Sequence, residues 1–257
     1  MHAIRQFREK LASDTLCIGS SITFNDPTVT EALCDSSDFL WIDTEHNPMS
    51  LESVTGHLIA SRACNTAALV RVPASDTPYL KRVLDSGADG VIVPQVRTAK
   101  EVQNVVNDCR YPPQGNRGFG PRRPSNYGRF GGDEYIETMN SDIFVSVQIE
   151  HIEACEALDD IVRIEGLDAI AIGPMDLSGS MGIPGQVDHP DVVTAMETII
   201  NKSRAAGLYV GMGMGANEAF ALKWAAKGTQ WIQLGCDFEY LIQHFDGLTS
   251  AIRRQIQ

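Results

Sequence analysis

Eight short β-rich runs recur along this chain: TLCIGSSI, FLWIDTE, AALVRV, GVIVPQV, FVSVQIE, AIAIGP, YVGMGM and WIQLGC. Short runs of Val, Ile and aromatics bounded by turn residues read as strands, and FLWI, apolar throughout, reads as one covered on both faces. Helical patterns fill the gaps, over Asp26–Cys34, Ser50–Ala63, Thr77–Ser86, Ala99–Cys109, Cys155–Val162, Pro190–Ala206 and Asn217–Ala226. Ser50, Asp76 and Thr98 stand at helix starts, Thr98 with Glu101 three residues on, which is the pattern of a capping box. DSGADG and AAKGTQ set a glycine just past a helix end, where termination favours it. No linker or low-complexity segment intervenes. Eight β-then-α units in 257 residues predict one domain over residues 1–257, folded as a (β/α)8 TIM barrel. An open doubly wound sheet normally needs fewer strands, and neither G-x-G-x-x-G nor G-x-x-x-x-G-K-[ST] follows the first run.

The formal charge is -12 at pH 7. A surface that acidic repels phosphate backbones and anionic lipid, which argues against nucleic acid and membranes as partners. No apolar run approaches the roughly 20 residues that span a bilayer. The opening MHAIRQFREKLASDT reads as an amphipathic, charged helix without the apolar core of a signal peptide. The six cysteines (Cys17, Cys34, Cys64, Cys109, Cys155 and Cys236) are dispersed and form no C-x-x-C, so reduced thiols in a cytoplasmic setting are expected. One segment, Cys109–Tyr135, is long, irregular and rich in Gly, Pro and Arg. Its place after the fourth strand's helix predicts that it folds along the barrel's N-terminal face or reaches a neighbouring subunit.

In such a barrel the chemistry lies at the C-terminal ends of the strands. The second strand ends in Asp43, Glu45 and His46, and the third in Arg71. The fourth offers Gln95, the fifth Gln148 and Glu150, and the loop after the sixth Asp176. The last two end in the soft or apolar Met212, Met214 and Cys236. Alternation in FVSVQIE sets Val145, Val147 and Ile149 against Ser146, Gln148 and Glu150. Glu150 and Asp176 could hold a hard divalent cation through oxygen; an arginine–carboxylate network plugging the mouth is the competing reading. All six lysines (Lys10, Lys81, Lys100, Lys202, Lys223 and Lys227) fall on predicted helices or helix ends. A Schiff-base enzyme needs one on a strand, so carbonyl chemistry here would use a metal as Lewis acid. His46, beside two carboxylates, reads as functional. His151 is expected to cap a helix, His57 to be a solvated or core histidine, and Arg117, Arg122, Arg123 and Arg129 to attract an anionic substrate or to make inter-subunit salt bridges.

WIDTEHNP, LVRVP, RVLDSGADGVIVPQV, YPPQGNRGFG, VQIE and AIGPMDLSGSMGIPGQVDHP, in that order, closely resemble the metal-dependent pyruvate aldolases of the HpcH/HpaI type. The resemblance runs from the first strand to the helix after the sixth, and more loosely to the C-terminus. It implies a (β/α)8 barrel whose last helix is exchanged with a neighbouring subunit, within a homohexamer built as a trimer of dimers. It implies Glu150 and Asp176 as metal ligands for Mg²⁺, Mn²⁺ or Co²⁺. Gln148 and the backbone around Met175 and Asp176 would hold pyruvate, and Arg71 would contact its oxygen and stabilise the enolate. His46 would act through water as general acid and base, supported by Asp43, with Asp85 approaching from the adjacent subunit. The implied reaction is reversible aldol cleavage of 4-hydroxy-2-oxo acids to pyruvate and an aldehyde.

The chain departs from the family pattern where the aldehyde or a subunit contact would be decided. Ser20 and Ser21 stand where the family often has a tryptophan, Met175 where it often has Ala or Ser, and Arg122–Arg123 is an added pair. The alternatives are a related lyase of another C–C or C–P bond beside a pyruvate unit (oxaloacetate decarboxylase-like, phosphonopyruvate or acyl-CoA lyase) and a non-catalytic ligand-binding barrel. The cysteine-bearing gating loop of phosphonopyruvate lyases and the basic surface of CoA enzymes are not evident, and a complete enolate-stabilising set disfavours the binding barrel.

Overall fold

Strand alternation builds the molecule from two cores. In the computed structural model, which describes residues 2–256, Val145, Val147 and Ile149 pack outward against helices, while Ser146 and Gln148 point into the barrel; all five are buried. Both faces of that strand are therefore covered, as is usual in a parallel sheet.

The strands are β1 (Cys17–Ile22), β2 (Phe39–Asp43), β3 (Ala67–Arg71), β4 (Gly90–Val93), β5 (Phe144–Ile149), β6 (Ala169–Ile172), β7 (Tyr209–Met214) and β8 (Trp231–Cys236). They pair in parallel in sequence order, and β8 returns to β1 to close the barrel. The helices are α1 (His2–Ala12), α2 (Pro27–Cys34), α3 (Leu51–Ala63), α4 (Thr77–Asp85), α5 (Ala99–Cys109), α6 (Gly132–Asp142), α7 (Ile152–Glu156), α8 (Leu158–Ile161), α9 (Pro174–Ser180), α10 (Pro190–Ala205), α11 (Glu218–Ala225) and α12 (Asp237–Ile256). This is the (β/α)8 barrel that the eight runs predict. Among the described residues no helix is long and apolar enough to cross a membrane.

Inside the barrel, character changes along each strand. Toward the strand starts the inward residues are apolar: Phe39, Leu69, Ile92, Phe144 and Trp231. Helix α1 closes that end by burying Ile4, Phe7 and Leu11 against them, and losing one such ring costs about 3–5 kcal/mol. Room for the aromatics comes from glycine: a Cβ on Gly211 would lie 2.0 Å from the Trp231 ring. Ring contacts run upward from Phe7 to Trp231 (6.4 Å) and from Trp231 to Trp41 (5.9 Å). Above this floor the inward residues become polar, beginning with Asp43 opposite Arg71 in the β2–β3 register.

Several local expectations hold and others need correction. Ser50 and Thr98 cap as expected, Thr98 and Glu101 forming a full capping box. Asp76 occupies the N-cap of α4, but its side chain makes no capping bond. His151 accepts from the Glu153 N–H at the start of α7, and His57 is a core residue. The single helix expected over Cys155–Val162 is two short helices divided at Ala157. Three helices, α6, α9 and α12, lie outside the predicted spans, although a last helix is implied by the family resemblance.

The segment after α5 folds along the N-terminal face. Arg110 donates to the carbonyls of Ile143 (3.0 Å) and Gly166 (2.8 Å) and to Asp168 (2.8 Å). Arg117 stacks on Tyr111 and pairs with Asp85 at 2.8 Å, and Arg123 donates to the Ser86 and Leu58 carbonyls. Within one chain these arginines fasten a loop at the end opposite the polar mouth. Neither the substrate role nor the inter-subunit role is needed to explain Arg117 and Arg123.

Candidate active site

Arg71 organises the mouth. It ends β3 beside Asp43 of β2, and its Nε donates to Asp43 Oδ1 at 2.8 Å. Its Nη1 lies 3.1 Å from Glu45 Oε2 and 3.5 Å from Gln148 Oε1. Its guanidinium stands 5.4 Å above the Trp41 ring, so the aromatic floor supports it from below by a cation–π contact. Burial pushes Arg71 down, but the carboxylates of Asp43 and Glu45 more than offset this and raise it above the usual arginine value.

Asp43 is itself held by the turn that follows it. Its Oδ1 accepts from the Glu45 N–H (3.1 Å) and its Oδ2 from the Asn47 amide (2.6 Å). Such an Asx-type turn projects Glu45 inward and leaves His46 at the rim, its side chain 61% exposed. Glu45 Oε2 lies 3.7 Å from His46 Nε2 as well as against Arg71. Glu45, which had no role in the sequence reading, thus links the arginine to the histidine. Burial raises the Glu45 carboxyl despite the pull of Arg71.

A third carboxylate follows directly on β5. Glu150 is buried, with Oε1 accepting from the Gln95 N–H (2.8 Å) and Oε2 from the Gln148 amide (2.7 Å). Gln95 makes its bond from a left-handed backbone, φ 58°, a strained position of the kind found at functional sites. Burial, with the nearby Asp176 and Glu45 carboxylates, pushes Glu150 up to about 7. Asp176 sits in the first turn of α9 directly after β6. The strand-to-helix junction is Gly173, where a Cβ would meet Glu150 Oε2 at 2.3 Å.

His46, Arg71, Gln148 and Asp176 line a cavity of about 310 Å³ whose wall is completed by the ends of β7 and β8 and the start of α12. Asp43 and Glu45 lie behind Arg71, and Glu150 behind Gln148. The structure thus gathers Asp43, His46, Arg71, Gln148, Glu150, Met175 and Asp176. It does not bring Asp85 to them. Asp85 ends α4, a helix that runs back to the start of β4, so it lies at the far end of the barrel on Arg117. No lysine lines the cavity. Among the described residues no three His, Cys, Asp or Glu side chains converge as a ready metal cage. What the mouth presents is an excess of carboxylates around Glu150, with Arg71 as their one fixed counter-charge. Two oxygen donors with this surplus negative charge suit a hard cation that keeps water and takes substrate oxygens.

A closed parallel barrel with acid, base and cationic groups at its C-terminal mouth is the layout of a TIM-barrel enzyme. The model of the HpcH/HpaI aldolase/citrate lyase family matches residues 22–244. Over 252 residues the chain is 36% identical to a 4-hydroxy-2-oxovalerate aldolase of Rhodococcus jostii, covering 96% of this chain and 95% of that protein. It is 34% identical over 240 residues to a hydroxypyruvate/pyruvate aldolase of Roseovarius nubinhibens, covering 92% of each. A crystal structure of an HpcH/HpaI aldolase/citrate lyase family protein from Burkholderia cenocepacia superposes with a TM-score of 0.90 at 29% identity, over 96% of this chain and 98% of that one. The chain belongs to the HpcH/HpaI aldolase/citrate lyase family, and it is a carbon–carbon lyase.

Proposed function

We propose that this protein is a class II aldolase that cleaves 4-hydroxy-2-oxo acids to pyruvate and an aldehyde, and joins them in reverse. The observation that carries the reading is the grouping of Arg71, Gln148, Glu150 and Asp176 at a mouth without lysine. Leaving a pyruvate unit as an enolate puts negative charge on its oxygen, and something other than a Schiff base must hold that charge.

Glu150 and Asp176 would hold a divalent cation, Mg²⁺, Mn²⁺ or Co²⁺, which when bound supplies Lewis acidity toward the keto oxygen. The chain's own residues do the rest. The Gln148 amide and the free N–H groups of Met175 and Asp176 in the first turn of α9 bind the pyruvate oxygens. Arg71, kept protonated and fixed by Asp43 and Glu45, faces the enolate oxygen as charge develops. His46, at the rim, passes a proton through water between solvent and the 4-hydroxyl oxygen. Asp85 would join His46 only from a neighbouring copy, in an assembly of dimers closing as a hexamer with α12 packed across subunits.

The test follows the pyruvate methyl signal by proton NMR in D₂O. Exchange is expected with Mg²⁺, and EDTA or Glu150→Gln should abolish it. Arg71→Ala should slow it by roughly 10²–10³, the range for removing one oxyanion donor. Exchange undiminished by EDTA overturns the metal-assisted reading.

A further inference from the structure

The cavity has two unlike halves. One is the polar cluster of Arg71, Gln148 and Asp176; the other is apolar, made by Trp41, Met175, Met214, Cys236 and Phe238. Two polar side chains remain in the apolar half, and both are engaged with backbone. Gln233 accepts from the Met214 N–H (3.2 Å) and donates to the Gly235 carbonyl (2.5 Å). Glu239 accepts from the Cys236 N–H (2.8 Å). Glu239 has no donor when ionised, and Gln233 keeps at most one uncharged amide N–H, so neither supplies a positive charge to a ligand. The sole fixed cation lining the cavity is Arg71, and it already lies against the carboxylates of Asp43 and Glu45. Asp176 belongs to the polar half as a proposed metal ligand, which leaves Glu239 as the one fixed charge of the apolar half, and it is negative.

Resting on the aldolase reading above, we propose that the acceptor half takes a neutral, weakly polar aldehyde and discriminates against aldehydes bearing a carboxylate or phosphate. In the joining direction the pyruvate methyl carbon loses a proton to water and bonds to the aldehyde carbon. The aldehyde C=O π pair moves to its oxygen, which takes one proton back, so atoms and charge balance. With pyruvate against the polar cluster, the rest of the acceptor lies along Met214 and Phe238. An alkyl chain there displaces water from apolar surface, which is favourable. An anionic tail lying along Met214 and Phe238 loses its hydration beside Glu239, and that half of the lining carries no cationic side chain to meet it.

Butanal and succinic semialdehyde have four carbons each and differ at the tail, methyl against carboxylate. Aldol addition to pyruvate is measured with each, the product read by mass, and each rate is divided by the same preparation's pyruvate methyl exchange rate. Butanal is expected to exceed succinic semialdehyde at least ~10-fold in kcat/KM, the scale of one unfavourable charge contact. Met214→Arg and, independently, Phe238→Arg set a cation in the apolar half and should shrink that ratio. Succinic semialdehyde equal to or better than butanal, with pyruvate exchange intact, overturns this inference alone. So does a ratio that neither arginine variant moves. Absence of pyruvate exchange overturns the aldolase reading itself, and the acceptor assignment with it.

Discussion

At position 173 a single added carbon would disturb the whole cluster. A Cβ there would lie 2.3 Å from Glu150 Oε2 and 3.0 Å from Gln148 Nε2, inside contact distance, and these two atoms are hydrogen-bonded to each other, with Glu150 held further by the Gln95 N–H at its Oε1. Gly173→Ala should lower kcat by about 10² or more, the cost of misplacing site groups by about an ångström. Its loss of thermal stability, read by calorimetry on the same sample, should be much the smaller effect. Residues such as Arg71, Glu150 and Asp176 were legible in the sequence because strand counting puts each at a C-terminal end. Glu45 was placed at a strand end in the same way, but its role was not legible, because that depends on Arg71 reaching across from the next strand and on the turn held by Asp43. Asp85 was legible as a motif, yet one chain leaves it at the far end on Arg117.

Between elements, the clearest charge-sensitive contact is that of α2 with α3, where His57 Nδ1 meets Thr30 Oγ1 at 2.8 Å in the buried interface. Burial pushes His57 below the usual histidine value, with Asp237 and Asp26 pulling back only in part. In the unfolded chain His57 takes its proton near its ordinary pKa of about 6.5, while the folded chain resists until lower pH. The unfolded state therefore binds more protons over that window, so stability falls as pH drops below about 6.5 and levels off below the folded value. Urea unfolding at about pH 7.5 and about pH 5.5 should show a smaller pH-dependent loss in His57→Gln than in the parent. The helices that escaped the sequence reading share a physical cause. PMDLSGS (α9) has seven residues with a proline and a glycine, too short for a 3.6-residue pattern. α6 opens on Gly132 straight from a glycine- and arginine-rich stretch, and its apolar face amounts to Tyr135, Met139 and the partly buried Ile136.

For the whole molecule, eight countable runs were enough to give the closed barrel, because sequential parallel strands joined by right-handed crossovers leave few other arrangements. The assembly is a different matter. Along α12, past Phe238, which lines the cavity, residues Leu241, Ile242, Phe245, Leu248 and Ile252 form one exposed apolar stripe, and Asp237 is the helix's one buried residue. Asp237 anchors the helix by accepting from the Thr23 and Phe24 N–H groups (2.8 and 3.0 Å). A contiguous apolar face of this kind marks a protein contact. Light scattering should give a mass that is a multiple of 28.1 kDa, and Leu241→Glu with Phe245→Glu should reduce it; a monomeric parent would refute the subunit contact. The aromatic floor has a consequence for traffic. With α1 wedged beneath Trp231 and Trp41, and Arg71 resting on that column, the barrel is a cup with one opening. Whatever binds deepest must enter first and leave last, so after a cleavage the outer of the two products departs ahead of the inner.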